Sequence, residues 1–219
     1  MSSLISSWVN GVRSSASSIE QFSRLSIPDG PYASVQLGLQ LSDSLDGITL
    51  NNLNMNAAAS GDCVVSANCD AEAIGSTTEV YFGRLEVQNS FGAETSSLEV
   101  PLRTMVLGSS GYVVNTADDC SLYQASGVTL SNYQDGLPTV TVLSPSGATN
   151  VSNGTSTKGS GLILSSPGAT NTGSVDGTYD APSWLEFDWQ GSGLVDPVGT
   201  AIFGQFRGHD TVIYWREIY

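Results

Sequence analysis

The chain has 219 residues, enough for one large all-β domain or two small sandwiches. Its 7 Lys and Arg against 21 Asp and Glu give a formal charge of −14, which repels nucleic-acid phosphates and anionic headgroups and sets both aside as partners. Charged residues are only 13% of the chain and hydrophobic ones 40%, a balance that excludes a charge-solvated disordered chain and suits an extracellular β-protein wetted by hydroxyls and amides.

From Trp8 to Leu25 the chain is Ser-rich and alternates poorly, so it reads either as a solvated strand or as a helix with Ile19 and Phe22 on one side. The opening Met1-Ser-Ser-Leu-Ile-Ser-Ser has neither the basic flank nor the apolar core of a signal peptide, and no run approaches the roughly 18 apolar residues that span a bilayer. The expectation is a segment from downstream in an exported protein, with no membrane insertion of its own. Pro28-Asp-Gly-Pro31 predicts a turn, and Tyr32 to Leu41 a half-buried strand with Val35, Leu37, Leu39 and Leu41 on one face.

Ile48 to Met55 predicts a further strand, and the Ala-rich stretch from Asn56 to Ser76 a long loop. That loop holds Cys63 and Cys69; with Cys120 the cysteines number three, which cannot all pair within the chain. A local Cys63–Cys69 bridge is one pairing. Joining Cys120 to either would close a loop of ~50–57 residues, worth roughly 4 kcal/mol in the chain-entropy model. Zinc is disfavoured, because three Cys and one distant His make a poor four-ligand set.

Glu79 to Gln88 predicts a strand whose phase shifts at Gly83, and Ser97 to Leu107 a returning strand with an edge or bulge at Pro101. Tyr112-Val-Val, Val128 to Leu130, Thr139 to Leu143, Gly161 to Ser165, Gly177-Thr-Tyr, Trp184 to Trp189 and Thr200 to Arg207 continue the β pattern. A last strand runs from Thr211 to Ile218 after the turn at Phe206-Arg-Gly-His-Asp-Thr211. The fold class is all-β, an antiparallel β-sandwich of one or two subdomains. Residues 1–145 form a β-rich subdomain, 146–160 a Ser/Gly/Thr-rich linker or long hairpin tip, and 161–219 C-terminal strands packed on the first part.

An ordered series of motifs then carries a resemblance. It comprises Tyr81-Phe-Gly-Arg-Leu85, Asn89 with Phe91-Gly92, Val100-Pro-Leu-Arg103, and Tyr112 followed by Asn115-Thr-Ala-Asp-Asp-Cys120. It continues through Ser166-Pro-Gly168, Asn171-Thr-Gly173, Pro182 with Trp184-Leu185, Asp188-Trp189, Asp196-Pro197, Phe203-Gly204, and Arg207-Gly208 with Ile213-Tyr-Trp-Arg-Glu217. From about Pro28 to Tyr219 the chain resembles the C-terminal domain of unknown function of MshQ-like proteins of the MSHA (mannose-sensitive haemagglutinin) type IV pilus system. The resemblance implies export through the periplasm to the cell surface or the extracellular space, and pilus or cell-surface proteins as partners. It brings no catalytic residues. The chain departs from the pattern at His209, where Asn is more usual, and in its additional cysteine in the Cys63 to Cys69 loop.

Several residues are candidates for chemistry. His209 beside Asp210 lacks the geometry of a triad and reads as a solvated turn. Glu186 and Asp188, two apart on the expected strand, are a carboxylate pair of the kind glycoside hydrolases use, or else the wet face of that strand. Calcium is the cation that the loop carboxylates suit: Asp118 with Asp119, Asp43 with Asp46, and Asp176 with Asp180. Trp189, with Asp188 and Glu186, offers a platform for a sugar ring, whereas Trp184 and Trp215 read as packing residues and Arg207 and Arg216 as cross-strand ion-pair partners. The expected function is a non-enzymatic structural and interaction module for pilus biogenesis or surface display. The alternatives are a calcium-assisted adhesin domain that binds host or surface glycans and is marked by an exposed Trp189, and a secreted glycoside hydrolase.

Overall fold

Short alternating segments separated by glycine- and hydroxyl-rich turns cannot form long elements, and among the described residues they make sixteen strands and one 3-10 turn. The computed structural model describes residues 8–9, 12–13, 27–40, 52–56, 63, 68–159 and 161–204, with the backbone alone for the first four. The expected last hairpin, with Arg207, His209, Asp210, Trp215 and Arg216, lies outside the described residues, as do Asp43 and Asp46.

Strands β1 (Trp8–Val9) and β2 (Val12–Arg13) pair with each other, and β3 (Tyr32–Leu39) pairs antiparallel with β4 (Glu72–Val80). The first residues of β4 were expected to lie in a loop. On β3 the expected apolar face is half-buried at Val35, but Leu37 is 55% exposed and Leu39 is exposed too. Cys63 and Cys69 are joined in a disulfide, their Cα atoms 5.4 Å apart, and Cys120 is an exposed free thiol. This settles the pairing in favour of the local bridge.

The remaining strands are β5 (Gly83–Val87), β6 (Ser90–Gly92), β7 (Leu98–Val100), β8 (Leu102–Gly108), β9 (Gly111–Val114) and β10 (Leu122–Tyr123). They continue as β11 (Val128–Gln134), β12 (Val142–Ser144), β13 (Thr149–Asn150), β14 (Leu162–Leu164), β15 (Gly173–Tyr179) and β16 (Val198–Phe203). Two sheets, in the orders β11-β15-β16-β6 and β12-β14-β7, face each other as a sandwich. Val175, Tyr179, Ala201 and Phe203 of the first meet Leu98, Val100, Leu162 and Leu164 of the second. The void left between them is only about 10 Å³. Each fully buried side chain of this size contributes roughly 1.5–3 kcal/mol, so the interdigitated faces dominate stability. The sandwich is antiparallel but for one pair, β6 on β16, which runs parallel in the register Ala201↔Ser90.

Pro101 divides the expected Ser97–Leu107 strand into two. β7 pairs with β14, and β8 joins the third sheet, β5-β8-β9, because a residue without an N–H suits the point where the chain changes sheets. The third sheet sends Leu85, Val87 and Leu102 into the same core. Residues 146–159 lie between the paired strands β12 and β14 and bridge to β8 at Arg103↔Thr155. The Leu102 and Thr104 N–H groups donate to Ser156 Oγ (3.0 Å) and the Gly154 carbonyl (2.9 Å), and Val151 is buried. This segment is therefore pinned to the sheet at both donors.

Candidate functional site

Arg84 stands on β5 and Tyr112 on β9, on either side of β8, and the guanidinium reaches to 3.8 Å from the centre of the Tyr112 ring. It also lies 4.8 Å from the Phe187 ring and 4.6 Å from the Trp189 ring. These rings meet edge to face, Tyr112 to Phe187 at 5.3 Å and Phe187 to Trp189 at 4.9 Å. An ion pair with Glu86, itself 18% exposed, completes the arrangement. One cation thus gathers three aromatic rings and a carboxylate from three parts of the chain.

The stretch from Trp184 to Trp189 is not the strand that its alternation predicts. Leu185 N–H closes a turn on the Pro182 carbonyl (2.7 Å), and Phe187 makes a single bridge to Val195. Asp188 accepts the N–H groups of Gln190 (3.3 Å) and Ser192 (2.9 Å), so the chain curls back after Trp189. Asp196 accepts the Ala181 N–H (2.9 Å), and Leu85 N–H donates to the Leu185 carbonyl (2.8 Å), tying the loop to β5.

Between this loop and the end of β5 lies an open cleft of about 700 Å³. Trp189, 42% exposed, forms one wall with Val195 and Val198, both exposed. Glu86, Gln88, Asn89, Gln190, Ser192 and Asp196 line the cleft as well. A volume between about 300 and 1,000 Å³ with an aromatic wall and a few polar groups is the usual form of a small-molecule site.

The other expected groups are placed differently. Glu186 is half-buried and does not line the cleft, and Asp188 accepts the two N–H groups of its turn. Trp184, expected in packing, is 66% exposed and lies by a second concavity beside Cys120. Asp118 is buried. Burial by itself pushes its carboxyl up, but the hydrogen bonds it accepts from Ser121, Cys120 and Thr104 outweigh this and hold its pKa below the ordinary value. Asp119 accepts the Asn153 N–H (2.7 Å). Asp176 bridges strands by accepting the Thr200 hydroxyl (2.7 Å) and the Asn132 amide (2.8 Å). Among the described residues no three His, Cys, Asp or Glu side chains, Asp180 included, converge as a metal site. The expected calcium ligands Asp118, Asp119 and Asp176 accept turn and cross-strand hydrogen bonds.

Sequence reasoning found Trp189 and missed Arg84, Tyr112 and Phe187. The one local signal was the spacing of Arg84 with Glu86 and of Phe187 with Trp189, two apart in each case, which places such residues on a common side.

Antiparallel sheets packed as a sandwich, with turn-held loops at their edge, define the class: an all-β sandwich-like domain. Family models place it further, with the third domain of DUF6701 matching residues 2–70 and the fourth domain matching residues 81–218. The chain belongs to the DUF6701 family, a family of unknown function. No curated protein and no solved structure matches it. Among the described residues no helix is long and apolar enough to cross a membrane.

Proposed function

We propose that this chain is a non-enzymatic structural and interaction module of an exported, surface-displayed MshQ-like protein that serves MSHA type IV pilus biogenesis or display. The observation that carries the reading is the Arg84 stack, which fixes the loop 182–197 on the third sheet and so holds a cleft of set shape open to a partner. Preformed surfaces of this kind bind without a large ordering cost. The Cys63–Cys69 disulfide suits an oxidising export route. The ordered motifs from Tyr81 to Glu217 support the MshQ-like assignment.

The test is an in-frame deletion of residues 81–218 from the parent gene, with surface pili counted and pilus-dependent adherence measured. Protease shaving of intact cells reports whether the parent protein reaches the surface. The reading requires reduced piliation or adherence and a shaved parent protein; unchanged pili and adherence, or a protein held inside the cell, would overturn it.

A further inference from the structure

We infer that the cleft beside Trp189 is a binding site for neutral pyranose oligosaccharides, recognised by the protein's own side chains without calcium. The inference rests on the interaction-module reading and names the ligand class of its cleft.

The wall of the cleft is apolar where a sugar ring presents its C–H face. Trp189 is 42% exposed and stands with Val195 and Val198, which are exposed as well. Phe187 and Arg84 pack against the Trp189 ring at 4.9 and 4.6 Å and brace it as a platform.

Around that wall stand hydrogen-bonding groups of both kinds. Asn89 uses its Oδ1 to accept the Thr200 N–H (2.8 Å), which turns its amide NH₂ into the available donor. The side chains of Gln190 and Ser192 make no hydrogen bond among the described residues. Asp196 commits one oxygen to the Ala181 N–H and retains the other. Donors and acceptors set around an apolar wall match a polyol, whose hydroxyls both give and accept.

Charge selects among ligand classes. An anion would meet the Asp196 carboxylate in a chain of formal charge −14. A cation would have to share the electron-rich rings with Arg84, which already lies over Trp189 and neutralises Glu86. A neutral ligand meets neither penalty. Calcium is unnecessary, because these polar groups face the cleft directly.

The test uses the full chain titrated with cellotetraose, maltotetraose and chitotetraose, followed by tryptophan fluorescence and calorimetry in buffer with EDTA. Tri-galacturonate and choline serve as the anionic and cationic probes. We expect saturable binding of at least one neutral oligosaccharide, unchanged by EDTA. Trp189→Ala should weaken it about tenfold or more, the loss that follows from removing an aromatic contact of ~1.4 kcal/mol. Gln190→Ala, at an exposed position that should not affect folding, should weaken it severalfold, and Trp184→Ala, outside the cleft, should leave it unchanged. The inference is overturned if none of the three neutral sugars binds, if Trp189→Ala and Gln190→Ala both bind as the wild type does, if EDTA abolishes binding, or if only choline or tri-galacturonate binds. Any of these with the deletion phenotype intact removes the sugar ligand and leaves the module reading standing; loss of the deletion phenotype removes the latter.

Discussion

Replacing Arg84 by Met tests whether one guanidinium holds the cleft together. Met keeps most of the apolar stem and removes the charge from three rings at 3.8 to 4.8 Å. A cation over aromatic faces contributes ~0.5–1 kcal/mol when exposed and about 2 when desolvated, and at 17% exposure Arg84 belongs near the upper value. The contacts share one charge, so they are not summed. Losing the partly buried ion pair to Glu86 adds about 0.5–1 kcal/mol. The expected cost is about 2–3 kcal/mol, which in a chain of this size lowers the melting temperature by roughly 5–10 °C. Urea unfolding followed by tryptophan fluorescence measures it, and the native emission should shift to the red as Trp189 loses its support. Arg84→Lys should recover only part of the loss, because an ammonium lacks the planar face that stacks on rings. If Arg84→Met melts within about 1 °C of the wild type with unchanged emission, the stack does not hold the loop and the argument for a preformed cleft fails.

Three further outcomes are expected. Gly154→Ala should destabilise by about 3 kcal/mol or more in urea unfolding, since φ is +70° and an added Cβ would drive into the Asn115 carbonyl, whereas Gly136→Ala, at φ +75° in open space, should cost only about 1 kcal/mol. Asp118→Ala should destabilise the protein at neutral pH. Because the folded-state pKa of Asp118 is depressed, its contribution is fully present above the ordinary carboxylate range near ~3.9 and fades as the pH falls through the lower folded value, so wild type and variant should converge in acid melts. Thiol titration of the unfolded chain should give one reactive group before reduction and three after it, and three at the outset would refute the Cys63–Cys69 bridge.

What was legible in the sequence was set by local pattern, and what was not was set by contacts between distant segments. Tyr179 on β15, and Ala201 and Phe203 on β16, fall in expected strands and are buried in the sandwich, whereas β15 begins four residues before the expected strand, at Gly173. Pro101 marked an interruption, and the structure shows why: the strand leaves one sheet there and enters another. Trp184 to Trp189 alternates equally well yet is no strand, because Asp188 gathers the following N–H groups and Gly191 and Gly193 take φ of +73° and +115°, curling the chain. The aspartates illustrate a related ambiguity. A carboxylate that can ligate calcium can equally accept backbone N–H groups, and at Asp118 the nearest donors, Cys120 and Ser121, are only two and three residues away.

The cleft itself was illegible because its organising residue is an arginine whose partners come from positions 86, 112, 187 and 189, on two strands and a loop. In a chain with only 7 basic residues against 21 acidic ones, placing one of them beneath the rings spends a scarce charge on internal order. That choice has two effects at once. The guanidinium and Glu86 cancel each other next to the site, so the cleft is far less acidic than the chain as a whole. The Trp189 ring, stacked on the guanidinium, is still 42% exposed beside the cleft. Pre-ordering of that kind lowers the entropic cost of recognition, which matters most for weakly bound, uncharged partners that bring no Coulomb attraction of their own.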